Sequence, residues 1–530
     1  MRYKFNLCNY LFQQKLYKGF QQFQIVISKF YLAMQIRSLY KHSRNFTSPY
    51  FKSSFARVKT PIIPDTHLTT NYSGDSYTGP SYDQITKLRA SNLPSWMMTF
   101  YNKPVYITEG KMQYLWDSSG KRYLDAFGGV CTVSVGHCHP YVNMKLKQQV
   151  DKLWHTTSIY MQEKIHTYSE AILQNLPREK YNQVLFFNSG SEANDFAMTI
   201  AKMYTGNEEI IAVRNGYHGG SVGSNKLTSL HTWRPTSTES NVRHTLQPDP
   251  YRGIYGGARN GIAKDIYSSA CPNPEDAGRM YAQDVRETIQ HGTVGKIAGI
   301  WIEGIQGVGG TVQYPKGYVK EAYKIAREHG GLCVMDEVQT GWGRTGENFW
   351  GWQNHIDTVG DAPDLLVVAK SMGNGFPMSA VITNKKIMDA HAGKIFFNTF
   401  GGNPLSMAVG EAVLETIKSE NLQQNCEEIG NMLLNGFHEL QDKYEIIGDV
   451  RGQGLLLGIE FVKDQETKER NSKAVMDIFE SMKEDGILVG KGGLFGNVLR
   501  IKGPMCWNKE DAKFFLESLE SGILKTMRQI

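Results

Sequence analysis

Short apolar segments alternate with helical segments through the middle of the chain, and this alternation limits the fold more than any other feature. The segments predicted to be strands are rich in Val, Ile, Leu and Phe; they are 184–187, 210–213, 297–302, 332–335 and 365–369. Helices are predicted between them, for example over 193–204 and 318–328. Apolar strands that alternate with helices are typical of a mostly parallel sheet covered on both faces. The sequence therefore predicts an α/β fold with one large domain.

The regions that flank this alternation are predicted to form a smaller domain. Helical segments at 405–417 and 422–441 precede a strand–helix–strand unit at 454–501. The expected divisions are 1–60 for a leader, 61–134 for the lead-in and first part of the small domain, 135–395 for the large domain and 396–530 for the rest of the small domain. With 41% apolar and 21% charged residues, the composition is that of a globular enzyme and excludes a disordered chain.

The first 60 residues differ from the rest in charge. They contain eleven Lys and Arg residues and no Asp or Glu, whereas the remaining 470 residues contain 47 basic and 52 acidic residues, a formal charge of −5. A basic, hydroxyl-rich segment without acids is typical of a mitochondrial presequence, so we predict import into the mitochondrial matrix. A basic arm that binds RNA or anionic lipid is the alternative. An internal start at Met34 and cleavage after Phe46 are further expectations.

Several partner classes are disfavoured by composition and spacing. The basic excess is confined to the leader, which argues against nucleic-acid binding by the folded part. No apolar run reaches the ~18 residues that a membrane-spanning helix needs. The seven Cys residues are scattered without a C-x-x-C pair, which argues against a disulfide framework and a structural zinc site. His137 and His139 lack further ligands at suitable spacing, and no metal is predicted.

Two short motifs match well-known signatures but lack the context that those signatures need. The segment 341–346 (GWGRTG) fits G-x-G-x-x-G, yet five residues separate it from the preceding strand and no helix is predicted after it. The segment 219–223 (GGSVG) fits G-x-S-x-G without the apolar helix that follows a nucleophile elbow. An NAD-dependent dehydrogenase and a serine hydrolase are therefore disfavoured.

Polar residues at the ends of three predicted strands indicate one ligand site. After the strand at 184–187, a turn with Ser189, Gly190 and Ser191 leads into a helix, and the unpaired N–H groups of a helix start suit a phosphate. Asp336 follows a second strand and Lys370 follows a third. Open α/β sheets bind ligands at the edge where the carboxyl ends of parallel strands meet. We therefore expect these residues to lie at one edge.

This combination fits pyridoxal phosphate. The phosphate needs a cradle, and the aldehyde needs an amine such as Lys370, whose pKa falls in apolar surroundings. The ring nitrogen needs a carboxylate such as Asp336 so that the ring can act as an electron sink. Tyr217 and Val338 could press on the two faces of the ring. Taken singly, the features also fit an ordinary capped helix and a strand-end lysine that turns out to solvent.

From about residue 100 onward the chain resembles the class III pyridoxal-phosphate aminotransferases. The matching blocks are NSGSEAND (188–195), GYHG (216–219), DEVQTGWGRTG (336–346), AKSMGNGFP (369–377) and NTFGGNP (398–404). The resemblance implies the fold-type I architecture, which has a large domain with a mixed, mostly parallel sheet and a smaller α+β domain. It also implies pyridoxal 5'-phosphate as the cofactor and a homodimer, with a tetramer left open.

The resemblance implies a role for each residue that matches a family motif. Lys370 would carry the cofactor as an imine and move the substrate proton, and Asp336 would pair with the ring nitrogen. Arg500 would bind the substrate carboxylate, for which a planar guanidinium is suited. The other cofactor-binding residues implied by the motifs are Ser189, Gly190, Ser191, Tyr217, His218, Glu303, Val338, Gln339 near the ring hydroxyl and, from the neighbouring subunit, Thr399.

Two departures from the family pattern bear on this assignment. Glu303 is implied to gate or pair with Arg500, but its block reads EGIQG, so Gly304 stands where the family has Pro. Glycine leaves the local backbone less fixed than proline does. The loop at 244–280, where the family has a Cys-rich stretch, retains Cys271 alone.

The implied activity is that of a transaminase. An amino group would pass from alanine or a related small or β-amino acid to glyoxylate or pyruvate in a ping-pong cycle. The expected partners are therefore small amino acids and oxo acids. An ornithine, 4-aminobutyrate or other ω-amino acid transaminase is one alternative. A non-catalytic scaffold of the same fold is another, and the presence of Lys370, Asp336 and Arg500 argues against it.

Overall fold

The computed structural model describes residues 77–235, 241–256 and 274–528, which belong to one compact unit, Ile63–Ile530. The predicted leader at 1–60, with its cleavage site after Phe46, and Cys271 lie outside the described residues. Within the described ranges, no helix has the length and apolar character needed to cross a membrane.

A seven-stranded sheet carries the strands that sequence analysis predicted. Strands are numbered along the chain, and their order across this sheet is β4 (Gln183–Phe187), β10 (Ser379–Thr383), β9 (Leu365–Val368), β8 (Leu332–Asp336), β7 (Gly299–Glu303), β5 (Ile210–Val213) and β6 (Val242–Thr245). The strand β10 runs antiparallel to both neighbours, and the pairs from β9 to β6 are parallel. The predicted mixed, mostly parallel sheet is thus confirmed.

Both faces of this sheet are buried, because alternate residues of each strand enter two different apolar clusters. Trp301 and Val367 pack on one face with the helix that follows β4, whereas Ile300 and Leu366 pack on the other. The longer helices are α1 (Tyr82–Asn92), α2 (Pro140–Lys152), α3 (Glu163–Leu173), α4 (Gly190–Thr205), α5 (Pro274–Gly292), α6 (Tyr318–Glu328), α7 (Pro404–Ser419), α8 (Leu422–Lys443), α9 (Ser472–Asp485) and α10 (Lys509–Met527).

A second sheet combines strands from both ends of the chain. Its order is β1 (Ile107–Lys111), β2 (Tyr114–Asp117), β3 (Arg122–Ala126), β14 (Ile487–Gly492), β15 (Val498–Ile501), β12 (Leu456–Asp464) and β11 (Ile447–Gln453), and β13 (Glu469–Arg470) pairs with β12. The parallel pair of β3 and β14 joins the two flanks. Mixed sheets with helices confirm the α/β class, while the domain boundaries drawn from the sequence stay a prediction.

Candidate active site

The carboxyl ends of three neighbouring strands bring the central residues together. Glu303 ends β7 and Asp336 ends β8, and the two residues lie opposite each other in the parallel pair. Lys370 comes two residues after the end of β9, in which Val367 lies opposite Asp336. The expected meeting of Asp336 and Lys370 at one sheet edge is therefore observed, and Glu303 lies at the same edge.

Helix α4 begins at this edge with the turn predicted to hold a phosphate. Ser189 is its N-cap, and the Ser189 Oγ accepts a hydrogen bond from the backbone N–H of Glu192 at 3.3 Å. The N–H groups of Gly190 and Ser191 have no acceptor within the helix and carry the positive end of its dipole. The helix begins at Gly190, three residues before the predicted start at Ala193, because the glycine and serine already have helical geometry.

Two glycines allow the backbone to approach closely around this turn. A Cβ on Gly190 would lie 3.2 Å from Val338 Cγ2 and 3.5 Å from the Ala369 Cβ, so the start of the helix packs against residues that neighbour Asp336 and Lys370 along the chain. Gly219 has a φ of +138°, and a Cβ there would overlap the hydroxyls of Ser191 and Ser224.

Asp336 is held by three hydrogen-bond donors. Its Oδ2 accepts from His218 Nδ1 at 2.8 Å and from Asn194 Nδ2 at 3.1 Å, and its Oδ1 accepts from the backbone N–H of Val338 at 3.0 Å. Trp301 Nε1 donates to Asn194 Oδ1 at 3.1 Å and fixes the orientation of that amide. The carboxylate is thereby locked in one orientation at the strand end. Asn194 was not singled out from the sequence, although it stands inside the NSGSEAND block.

Burial and charge act against each other on the two groups beside Asp336. Burial alone would lower the pKa of His218, but the hydrogen bond to Asp336 and the charges of Asp336 and Glu303 outweigh it, so this pKa lies above its ordinary value. Burial raises the pKa of Glu303, the charge of His218 opposes this effect, and the charge of Asp336 adds to it. The site therefore favours an imidazolium that donates to Asp336.

Lys370 occupies an unusual backbone conformation. Its φ is +47°, in the left-handed region, and it opens the short 3₁₀ turn Lys370–Gly373. A non-glycine residue in this region costs of order 1–2 kcal/mol, and such residues cluster at functional sites. Burial lowers the pKa of Lys370, and the charge of Arg500 acts in the same direction while nearby acidic groups oppose it. A lowered pKa leaves more of the amine free for attack on an aldehyde.

Tyr217 and Val338 each hydrogen-bond to a carboxylate at the strand ends. The backbone N–H of Tyr217 donates to Glu303 Oε1 at 3.0 Å, and its ring meets Trp233 edge-on at 5.2 Å between centroids. Val338 is fixed by its hydrogen bond to Asp336 and by its packing on Gly190. Both side chains are partly exposed, so each has a surface free for a ligand.

Arg500 is a buried guanidinium that lies on β15 of the second sheet. Its Nη1 donates to the Gly307 carbonyl at 3.1 Å and its Nε to the Lys491 carbonyl at 2.9 Å, and it lies 5.6 Å from the centroid of the Phe127 ring. Burial lowers the pKa of Arg500 to about 10. Within the described ranges no carboxylate lies at ion-pair distance from Arg500, so the cation is available to an anionic substrate.

Glu303 contacts the backbone instead of Arg500. Besides Tyr217, its Oε2 accepts from the N–H of Gly307 at 2.9 Å, while the carbonyl of Gly307 accepts from Arg500. The two side chains thus bind opposite ends of one residue, Gly307, and form no ion pair with each other. The substitution of Pro by Gly304 does not loosen this segment, because His355 Nε2 donates to the Gly304 carbonyl at 2.7 Å.

Gln339 brings two residues into the site that the sequence did not indicate. Its Oε1 accepts from Lys502 Nζ at 2.8 Å and lies 3.7 Å from Cys131 Sγ. All three side chains are buried. The signal for Lys502 was its spacing, because residues i and i+2 of a strand share a face and Arg500 was already implicated.

Thr399 lies on an exposed loop near the start of α4. The adjacent Asn398 accepts from Asn188 Nδ2 at 3.0 Å and donates to Glu192 Oε2 at 3.2 Å, which fixes the loop beside the phosphate turn. Thr399 itself is exposed.

The two signature-like motifs have structural roles. The segment 341–346 is a turn with no long helix behind it, and its buried Arg344 donates to the carbonyls of Leu455 and Gly503 at 3.2 and 2.7 Å. A four-residue helical turn, Ser224–Leu227, follows the segment 219–223. The two histidines considered as metal ligands pair with carboxylates, His137 with Asp125 and His139 with Glu420.

The residues at this edge fit pyridoxal phosphate. The first turn of α4 offers unpaired N–H groups and the hydroxyls of Ser189 and Ser191 to a phosphate. Asp336 offers a fixed carboxylate to a ring nitrogen, and Lys370 offers an amine with a lowered pKa. Arg500 adds a buried cation suited to a substrate carboxylate.

The class III aminotransferase family model matches residues 98–523. The chain belongs to this family. The matched region contains both sheets and every site residue named above.

Relatives agree over nearly their whole length. An Arabidopsis thaliana protein named alanine–glyoxylate aminotransferase 2 homolog 2, mitochondrial, is 44% identical over 454 residues, covering 86% of this chain and 90% of the relative. The human protein named alanine–glyoxylate aminotransferase 2, mitochondrial, is 40% identical over 467 residues, covering 87% and 90%. A Caenorhabditis elegans protein named ethanolamine-phosphate phospho-lyase homolog 1 is 37% identical over 444 residues, covering 81% and 91%.

A solved structure with the same fold carries the cofactor. An amine transaminase from an uncultivated Pseudomonas species, in its pyridoxal-phosphate-bound form, aligns with a TM-score of 0.74 at 25% identity, covering 82% of this chain and 99% of that one. The protein is therefore a fold-type I, pyridoxal-phosphate-dependent transaminase, and the predicted family, fold and cofactor are confirmed.

Proposed function

We propose that the protein transfers the amino group of alanine, or of a related small or β-amino acid, to glyoxylate or pyruvate in the mitochondrial matrix. The observation that carries the proposal is the buried, unpaired Arg500 at the same site as Lys370 and Asp336. A guanidinium of this kind suits the carboxylate of an amino-acid substrate. The 40–44% identity to proteins named alanine–glyoxylate aminotransferases supports the choice of donor and acceptor.

The proton transfer is assigned to Lys370. Bound pyridoxal phosphate supplies an electron sink that makes the Cα–H bond of the substrate acidic. Lys370 Nζ would hold the cofactor and would accept the proton that leaves Cα of the substrate. Its lowered pKa leaves more of the amine unprotonated for that step.

The other residues hold charge and orientation. Asp336, held in one orientation by His218 and Asn194, would pair with the ring nitrogen. Arg500 would orient the substrate through its carboxylate, and Arg500 and Glu303 both hydrogen-bond to the backbone of Gly307. Gln339 would lie beside the ring oxygen, and the turn at Ser189, Gly190 and Ser191 would bind the phosphate.

The active form is proposed to be a homodimer, with Thr399 contributed across the interface. The loop around Thr399 presents an exposed apolar surface, which we call the apolar loop; it consists of Ile395, Phe396, Phe397 and Phe400. Contiguous exposed apolar side chains mark a contact surface. A second copy is the proposed occupant because the loop is anchored beside the phosphate turn, where a two-fold axis would bring two sites together.

The acid-free segment 1–60 is proposed to be a transit peptide. The relatives from Arabidopsis and human are named mitochondrial, which supports this address. Import of the labelled full chain into isolated mitochondria should shorten it at its N-terminus, and an unprocessed, protease-accessible chain would contradict the proposal.

A panel of amino donors tests the activity. Purified holoenzyme is incubated with alanine, β-alanine, ornithine or 4-aminobutyrate against glyoxylate and against pyruvate, and the product amino acid is measured. We expect alanine with glyoxylate to give glycine. The Lys370→Ala enzyme should lose turnover by on the order of a thousandfold or more and lose the visible absorbance of the lysine-bound cofactor.

Two outcomes would contradict the assignment. Preferred use of ornithine or 4-aminobutyrate would place the protein among the ω-amino acid transaminases. Phosphate release from phosphoethanolamine without an oxo acid would make it a lyase like its phospho-lyase relative. Lys385→Ala is the matched control, because Lys385 is an exposed lysine whose Nζ pairs with Asp389 on the same turn, and its activity should be unchanged.

A further inference from the structure

Lys502 is a buried amine that the proposed reaction does not yet use. It follows β15 directly, its backbone N–H donates to the Ala126 carbonyl at 2.8 Å, and its side chain is fully buried. Arg500 lies two residues earlier, on β15, and its charge acts on Lys502. A lysine is almost never fully buried without a function or a partner.

The partner of Lys502 is the carboxamide of Gln339. The 2.8 Å hydrogen bond joins Lys502 Nζ to Gln339 Oε1, and the Cys131 thiol lies 3.7 Å from the same oxygen. A protonated lysine has only donors, so it faces a carbonyl oxygen and not an amide NH₂. This chemistry decides which way the amide points: its oxygen is turned to Lys502 and its Nε2 to the opposite side.

The amide is also confined by the backbone. A Cβ on Gly307 would overlap the Gln339 amide, so the amide lies against that glycine. Gly307 is itself held on both sides, by Glu303 at its N–H and by Arg500 at its carbonyl. The side chain of Gln339 therefore lies in a fixed slot, and the choice left to it is which end faces Lys502.

The surroundings of Lys502 lower the pKa of its amine. Burial lowers the pKa of Lys502 to about 7, and the positive charges of Arg500 and Lys370 act in the same direction. Cys131 and Glu303 oppose this effect. The charged amine can only donate, and the Cys131 thiol lies at the same oxygen, so both contacts favour the amide oxygen at this end of Gln339.

We propose that Lys502 is a positioning residue, which turns the Gln339 oxygen away so that the Nε2–H group of Gln339 donates to the ring oxygen of the bound cofactor. The inference rests on the proposed function, which places Gln339 beside that oxygen. A donor at the ring oxygen favours its anionic form and makes the covalently held nitrogen next to it less basic.

The visible absorbance of the holoenzyme, titrated with pH, tests this role without measuring turnover. In Lys502→Met the Gln339 amide is free to rotate, and a nearby positive charge is lost. The pH midpoint of the absorbance change should therefore rise by roughly one unit. Lys502→Gln restores a donor to the Gln339 oxygen without a charge and should recover a large part of the shift. Lys418→Met, which removes an exposed lysine at the end of α7, should titrate like the wild type.

A double-mutant cycle separates orientation from charge. In a Gln339→Ala background, Lys502→Met should move the midpoint by clearly less than in the wild type, because there is no amide left to orient. An unchanged midpoint in Lys502→Met, or an equal shift with and without Gln339, would overturn the proposal. Failure of the proposed function would show differently, as a wild-type protein that forms no lysine-bound cofactor at all.

Discussion

At the scale of single residues, the site gathers buried amines that cost stability. Lys370 and Lys502 both have pKa values lowered by burial, and Arg500 adds a third positive charge. Lysines of this kind destabilise the folded chain at neutral pH, because the unfolded chain binds protons that the folded chain gives up. Their presence is explained by chemistry at the site and not by packing, as is common for functional residues.

The pH dependence of stability should report Lys502 in the apoprotein. Its pKa falls from an ordinary 10.5 to about 7 on folding, so between these values the unfolded chain binds more protons and the free energy of unfolding rises with pH. Relative to Lys502→Met, the wild type should gain stability by up to about 1.4 kcal/mol per pH unit above pH 7. Urea unfolding at several pH values measures this slope. Parallel curves would show that Lys502 titrates normally.

At the scale of elements, the start of α4 provides the phosphate-binding turn. Gly219 needs its positive φ, and it leaves room for the Ser191 hydroxyl, which accepts from the Gly220 N–H at 3.2 Å. The helix start and the loop after β5 therefore form one cradle. A side chain at Gly219 would displace Ser191 without touching the sheet.

Gly219→Ala should therefore weaken cofactor binding. A lost hydrogen bond to a charged group costs about 1.5–3 kcal/mol, which corresponds to roughly a tenfold or greater rise in Kd. Titration of the apoenzyme with pyridoxal phosphate measures it. Gly220→Ala is the matched control, because a Cβ on Gly220 would meet open space. Equal affinities of the two variants for pyridoxal phosphate would show that Ser191 does not help to bind the phosphate.

Whether an element could be predicted from the sequence depended mainly on whether nearby residues determine it. The strand β5 and the helix α6 have the bounds predicted for them, since a uniform apolar run and a wide apolar stripe are local signals. The strand β10 was missed because its place between β4 and β9 is set by antiparallel pairing with distant segments. The helix α5 was also missed, although it carries a narrow stripe of Ala277, Tyr281, Val285 and Ile289.

The site follows the same rule. Asp336 and Lys370 could be placed from the sequence because strand ends meet at a sheet edge. Asn194 could not, because its contact with Asp336 depends on how α4 crosses the strands. Lys502 comes from the second sheet, and only the packing of the two sheets brings it to Gln339.

At the scale of the whole molecule, the apolar loop determines how Thr399 can act. The loop exposes Ile395 almost completely, at 98%, and it is fixed to the start of α4 through Asn398. Thr399 therefore has two candidate targets, the phosphate turn of its own subunit and that of a second copy across a two-fold axis. The proposed dimer requires that Thr399 reaches the phosphate turn of the second copy.

Mixed dimers distinguish these targets, because Lys370 and Thr399 would serve the same site from different chains. Homodimers of Lys370→Ala should be inactive, and homodimers of Thr399→Asp should bind cofactor poorly through repulsion of the phosphate. In a mixed dimer, the Thr399→Asp chain keeps Lys370 and receives an intact Thr399 from its Lys370→Ala partner. Random refolding of an equal mixture should thus recover about a quarter of wild-type activity, since half of the dimers are mixed and each has one intact site. If Thr399 serves its own subunit, every Lys370 in the mixture lies beside an aspartate and no activity returns.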